Sequence, residues 1–320
     1  MLLEVRVPPF DLPVPLALAR AVDAVPEGRK WSLEPKWDGW RCLVHTAGGR
    51  VWSRHGTDLS RGFSDVAAAA RTVPDAVLDG ELVAVLDDGS GVAFERLQGR
   101  ASGRGPRPGA DFTVHVAFFD VLAVGDTDTR PWPYVRRRAE LLRLLEGAPA
   151  TLRPVPSTAD PAEALEWVGA LAGVEGLVGK LSGGRYADGL RSGWVKWRKR
   201  HTTEAVVIGV TSAAPAAQAL VLGRPSGGRM RAVGVSLPLP QLLRVAVAPL
   251  LHPAGAMREL PGTVGGLPGA DPVRYRPVEP EVVVEIEVDQ ERLEFGRYRH
   301  RPRVRRVRGD LTPGLLEEAP

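Results

Sequence analysis

Only five of the 42 basic residues in this 320-residue chain are lysines: Lys30, Lys36, Lys180, Lys196 and Lys199. Arginine and lysine both neutralise phosphates, but only lysine gives up its proton and becomes a nucleophile. A bias toward Arg, Ala, Gly and Pro accounts for the 37 arginines; it does not account for where the lysines stand. Lys36 lies in Glu34-Pro35-Lys36-Trp37-Asp38-Gly39-Trp40-Arg41, after a β-like run and before a glycine, so its amine emerges from a turn at a strand edge. Taken alone, the element reads either as a solvated lysine on a β-turn or as a nucleophile beside a carboxylate. A nucleophilic lysine must be neutral. With an ordinary pKa of ~10.4, that state has to be favoured by roughly 3–4 kcal/mol, which nearby cations or a divalent metal would supply.

Five further elements follow in order: Ser53-Arg54-His55-Gly56, Leu78-Asp79-Gly80-Glu81-Leu82, Phe118-Phe119-Asp120-Val121-Leu122, Glu175-Gly176-Leu177-Val178-Gly179-Lys180 and Trp194-Val195-Lys196-Trp197-Arg198. Each has a bland reading by itself: a turn, a hairpin, a core aromatic pair, a basic strand. Strand alternation lets only one of Phe118 and Phe119 face a pocket, and we assign Phe119. Near the end, Arg306-Val307-Arg308-Gly309-Asp310 closes a stretch from 292 to 308 with eight arginines and one acid, Glu294. That stretch reads as a solvated basic edge or as a surface for nucleic-acid phosphates.

Taken together, the six ordered elements resemble the motifs of the covalent nucleotidyltransferases, and most closely the compact bacterial ATP-dependent DNA ligases of the repair type. Phe94-Glu95-Arg96-Leu97-Gln98 adds to that resemblance. It implies that Lys36 attacks the α-phosphate of ATP and carries AMP, with Asp38 organising Lys36 or a metal-bound water. It implies a nucleotide site of Glu34, Lys36, Arg41, Arg54, Glu81, Phe119, Glu175, Lys196 and Arg198, with Phe119 stacked on the purine. Lys196 and Arg198 would grip the α-phosphate, while Glu81 and Glu175 would hold Mg²⁺ or Mn²⁺. Arg308 and Asp310 align with an Arg-x-Asp-Lys motif that closes over the triphosphate; Leu311 stands where that motif has its last basic residue. Arg54, Lys180, Arg200, Arg299 and Arg306 are the implied contacts to nicked duplex DNA. Such contacts go to phosphates rather than bases, so binding should weaken steeply with salt.

These side chains need two kinds of scaffold. Residues before about 200 alternate β-like runs (30–35, 41–46, 50–53, 76–86, 112–122 and 176–181) with helical ones. One helix is expected over 134–146, with Leu141, Leu142, Leu144 and Leu145 on its apolar side. Another starts at Asp160-Pro161-Ala162-Glu163 and stops at Gly173. After Arg198-Lys199-Arg200-His201 the texture becomes short strands (205–210, 219–223, 230–235, 282–288), with a helical insertion near 239–251 and a Gly/Pro-rich loop at 253–272. We therefore expect an α+β fold. A nucleotidyltransferase domain (1–201) of ATP-grasp-like antiparallel sheets with helices precedes an all-β OB-fold barrel (202–320).

With 44% apolar and 25% charged residues, composition excludes disordered and fibrous classes, and one cysteine excludes a disulfide framework. The N-terminus, charged by Glu4 and Arg6, does not read as a signal peptide, and no ~18-residue apolar run reads as a membrane span. The expectation is a cytoplasmic, nucleoid-associated bacterial monomer. Its runner-up readings are an RNA ligase or a capping-type guanylyltransferase and, from another class, a noncatalytic OB-type nucleic-acid binder.

Overall fold

The computed structural model of the chain describes residues 7–89, 91–102, 111–211, 219–265, 271–288, 293 and 296–316. It divides into two compact units, Met1–Arg198 and Lys199–Pro320. The division falls slightly before the expected one at 201/202, because His201 and Thr202 already pair with Val288 and Glu287 in the second unit's sheet.

In chain order the first unit has strands β1 (Arg20–Ala21), β2 (Trp31–Trp37), β3 (Trp40–His45), β4 (Arg50–Ser53), β5 (Ala76–Leu86), β6 (Phe112–Val124), β7 (Thr127–Asp128), β8 (Leu152–Pro154), β9 (Val174–Leu181) and β10 (Val195–Arg198). Its helices are α1 (Ser64–Ala70), α2 (Phe94–Ala101), α3 (Tyr134–Leu144) and α4 (Pro161–Ala170). One sheet runs β1-β10-β9-β2 and the other β4-β3-β5-β6-β7, with β8 alongside β6. The pairings are antiparallel except β1 with β10 and β6 with β8. A core containing Leu43, Trp52, Val77, Leu122, Tyr186 and Trp194 draws on both sheets. Around Phe63, Leu78, Leu97, Phe112, Phe118 and Leu141, a second core closes α1, α2 and α3 onto the larger sheet, and a third, at Leu33, Ala164 and Leu177, seats α4 on the smaller one.

Helix α3 buries Tyr134, Arg137, Leu141 and Leu144, one stripe at spacings of three and four. Leu142, expected on the apolar side, falls off that stripe and is 45% exposed. Asp160 caps α4 by accepting from the Ala162 amide, as its sequence foretold. The helix ends at Ala170, earlier than Gly173, because Leu171 is already extended.

In the second unit, strands β11 (His201–Thr211), β12 (Leu220–Ser226), β13 (Arg229–Val235), β14 (Arg258–Leu260), β15 (Val273–Pro277), β16 (Val283–Val288) and β17 (Arg303–Val307) form an antiparallel sheet, with helices α5 (Gln241–Val247) and α6 (Gly262–Gly265). The long β11 pairs with β12 along one edge. Along the other it pairs with β16 over its first half and β15 over its second, which curls the sheet as an OB-fold barrel requires. The segment expected as a Gly/Pro loop contains β14, paired to β15 through Arg258 and Tyr275; its residues 266–270 lie outside the described residues, as do Arg292 and Glu294. Among the described residues no helix is long and apolar enough to cross a membrane.

Candidate active site

Lys36 owes its position to β9. Lys36 and Arg198 both lie opposite Gly176, one on each neighbouring strand, and residues directly opposite one another share a sheet face. A Cβ at Gly176 would collide with the Trp197 carbonyl and the Arg198 backbone, so the closeness of β9 and β10 depends on glycine here. The β2–β9 register slips between Lys36 and Trp37, passing over Glu175. This bulge re-aims the Glu175 carboxylate, which regular alternation would turn away from Lys36. Glu175 consequently accepts from the Lys36 ammonium and lies 3.0 Å from Arg198 Nη2. Lys196 sits two residues before Arg198 on the same face. Burial, then the charges of Arg198 and Lys36, lower the pKa of its amine.

The turn after Lys36 approaches the other sheet at Gly39, where a Cβ would strike the Leu82 carbonyl. This close approach brings Glu81 within the electrostatic reach of Lys36, Asp38 and Arg41. Glu81 is half-buried, and burial pushes its carboxyl up to about 8 despite those cations. Asp38 itself is fixed through its amide, which donates to the Gly173 carbonyl at 2.8 Å. Phe118 is fully buried in the core, while Phe119 is half-buried and packs edge-on against Trp194 with ring centroids 6.0 Å apart. Arg54 is exposed and adds to the positive potential at Lys196.

Arg41 and Glu34, also of the implied nucleotide site, are engaged with buried partners. Arg41 clasps Asp79 through Nε (3.0 Å) and Nη2 (2.6 Å) and lies over Phe119, 5.3 Å from the ring centroid. Glu34 is 2% exposed, accepts from the Tyr134 hydroxyl and lies 2.8 Å from Lys180 Nζ. Burial raises its carboxyl pKa against the pull of Lys180.

Lys180 corrects the sequence-based expectation of a DNA contact. Its side chain is 1% exposed. Its ammonium donates to the Phe119 carbonyl at 2.6 Å and lies 4.2 Å from the Trp194 ring centroid. No face of it remains for a phosphate. By register Lys180 lies on the same face as Gly176 and Val178, which is turned toward Phe119. The sequence also gave no hint of the Arg137–Asp120 pair beneath this site, fully buried with Nε–Oδ1 at 2.6 Å, nor of Tyr186, whose hydroxyl reaches Asp79. Arg137 was nevertheless detectable in principle, since it falls on the buried stripe of α3.

In the second unit Arg308 donates to Glu204 (2.7 Å) and, through a second nitrogen, to Asp310 (2.8 Å). The contact with Arg308 lowers Asp310 to about 2. Glu285 and Glu287 alternate outward from β16 and meet the basic side chains: Arg306 at 2.8 Å from Glu285 and Arg200 at 3.1 Å from Glu287. Arg299 is half-buried. Leu311 donates its amide to the Arg308 carbonyl at 3.1 Å and brings no charge.

Among the described residues, no three His, Cys, Asp or Glu side chains gather as a ligand set. Glu81 and Glu175, both neighbours of Lys36, offer hard oxygen donors. One or two carboxylates, completed by water and substrate phosphates, are a donor set that suits Mg²⁺.

A family model described as "ATP dependent DNA ligase domain" matches residues 17–198. DNA ligase C1 of Mycolicibacterium smegmatis is 31% identical over 326 residues, covering 95% of this chain and 92% of its own. The multifunctional non-homologous end joining DNA repair protein LigD of Mycobacterium tuberculosis is 31% identical over 292 residues, which span 87% of this chain but 36% of LigD. The crystal structure of the M. tuberculosis LigD ligase domain superimposes with a TM-score of 0.51 at 25% identity, over 95% of this chain and 98% of that one. By sequence and by architecture alike, this chain belongs to the ATP-dependent DNA ligases.

Proposed function

We propose that the chain seals 5′-phosphate/3′-hydroxyl nicks in duplex DNA through an AMP carried on Lys36. The observation that carries this reading is the convergence of Lys36, Arg198 and Glu175 across Gly176, with Lys196 on the same face. In the first step the Lys36 amine forms a bond to the α-phosphorus of ATP, the bond to the β-phosphate oxygen breaks, and pyrophosphate leaves. Glu175, already in contact with the ammonium, orients Lys36, whose proton is released to solvent before the attack. Lys196 and Arg198 hold the α-phosphate in line, Phe119 offers its ring to the base, and exposed Arg54 orients the nick phosphate. In the later steps AMP passes to the 5′-phosphate, and the 3′-hydroxyl displaces it to close the strand. Glu81 and Glu175 would hold Mg²⁺ or Mn²⁺, which neutralises charge on the transferring phosphoryl group when bound.

Arg200, Arg299 and Arg306 supply phosphate contacts from the second unit. Arg200 and Arg306 would exchange Glu287 and Glu285 for DNA. The likeness to LigD supports a role in DNA repair, and we expect a monomer. A nick-sealing assay tests the reading: ATP should support closure of nicked DNA more efficiently than of nicked RNA. Closure with GTP alone, or of RNA alone, would transfer the reading to a different polynucleotide chemistry.

A further inference from the structure

We infer that Tyr186 is a positioning residue for nucleotide binding, acting through Asp79 and Arg41 on Phe119. Tyr186 lies in the loop between β9 and β10 and is 6% exposed. Its hydroxyl is used twice: it donates to Asp79 Oδ2 at 2.6 Å and accepts from the Ala17 amide at 3.1 Å. Asp79 is fully buried and receives both Arg41 Nε and Nη2. The remaining Arg41 nitrogen donates to the carbonyl of Ala17, so the contacts close into a ring of four residues: Ala17, Tyr186, Asp79 and Arg41.

Every member of this ring is constrained by chemistry rather than by bulk. The two-point pair orients Arg41 against Asp79; the Tyr186 hydroxyl, a third donor at 2.6 Å, ties that pair to its own loop and to the Ala17 segment. So anchored, Arg41 places its Cζ 5.3 Å from the Phe119 centroid and 5.5 Å from that of Trp194. Trp194 completes the frame, edge-on to both Tyr186 and Phe119 at 5.7 and 6.0 Å. The hydroxyl thus reaches a half-buried ring that it never touches. Ala17 lies on the segment that leads into β1, and β1 pairs with β10 at Ala21 and Lys196. The same segment therefore braces the Phe119 side and the Lys196 side of the site together.

This inference rests on the proposed role of Phe119 as the base-stacking residue. Tyr186→Phe keeps the ring and its packing but deletes the hydroxyl. Adenylate formation is measured with α-labelled ATP over a range of concentrations, alongside the thermal midpoint and inhibition by tripolyphosphate, which has phosphates and no base. A positioning role predicts that KM for ATP rises ten- to a hundredfold while kcat stays within about threefold. Tripolyphosphate should inhibit as it inhibits the native protein. A native KM in the variant overturns the inference, as does an equal loss of ATP and tripolyphosphate binding. If the native protein itself takes up no label, the reading of the site has failed instead, and the two failures are distinguishable.

Discussion

Replacing Lys180 with Met should destabilise the first unit by about 3–5 kcal/mol, the usual consequence of removing one partner from a buried ion pair. The structure places Lys180 in that class. Lys180 Nζ contributes two close contacts, 2.8 Å to Glu34 Oε2 and 2.6 Å to the Phe119 carbonyl, in a site whose side chains are 1% and 2% exposed. Without the ammonium, Glu34 retains the Tyr134 hydroxyl and an Arg138 nitrogen at 3.8 Å, too distant for a hydrogen bond. Relief comes from protonation: burial already raises the Glu34 pKa, and the isolated carboxyl would take up a proton rather than stay charged. The loss should therefore shrink as pH falls, and a second change, Glu34→Gln, should recover part of it. Urea unfolding of the native protein, K180M and K180M/E34Q measures these values. A K180M loss below about 1 kcal/mol would refute the reasoning. So would a fall of about one in the salt slope of DNA binding, because that slope counts phosphate contacts and a buried lysine makes none.

Gly176→Ala places a Cβ against the Trp197 carbonyl, so it should separate β9 from β10 and cost about 1–3 kcal/mol. Adenylate formation should fall at least tenfold, because small displacements of aligned groups are costly; Gly183→Ala, whose Cβ meets nothing within 4 Å, is the control. The Glu81 carboxyl titrates near 8 rather than its ordinary 4.5, so the folded protein binds that proton more tightly than the unfolded chain. In the ligand-free protein this contribution is complete below pH 4.5 and is lost as pH rises toward 8, by at most about 4–5 kcal/mol. Glu81→Gln should flatten that pH dependence of unfolding, and an unchanged profile would contradict the assignment. Arg299→Ala and Arg306→Ala should each lower the salt slope of binding to nicked duplex DNA by about one; unchanged slopes would remove those residues from the interface.

Much of the fold was legible because its signals are local. The runs at 50–53 and 76–86 are the observed β4 and β5, and Asp160 caps α4 from the position its sequence indicated. The site was legible as residue types in order. Pairing supplied the rest: Lys36 meets Glu175 only because the register slips by one residue, and no local pattern encodes a slip between segments 139 positions apart. Burial was the main obstacle. Lys180 was read as a surface cation, since a lysine beside a metal-site glutamate gives no sign of whether its strand face turns inward. Tyr186 was overlooked for the same reason: its one useful atom is visible only once Ala17 and Asp79 are folded against it. Helices α1 and α2 left weaker traces, being short and lacking a side-chain cap at either start.

Nick sealing by this chain turns on a covalent bond at one nitrogen, Lys36 Nζ. Incubation of the protein with α-labelled ATP and Mg²⁺, followed by denaturation and peptide mapping, should find one AMP on the peptide that contains Lys36. Pyrophosphate should discharge it, and neither Lys36→Ala nor Lys36→Arg should form it. Label on another residue, label that persists in Lys36→Ala, or no covalent label with an active nick-sealing preparation would contradict the account.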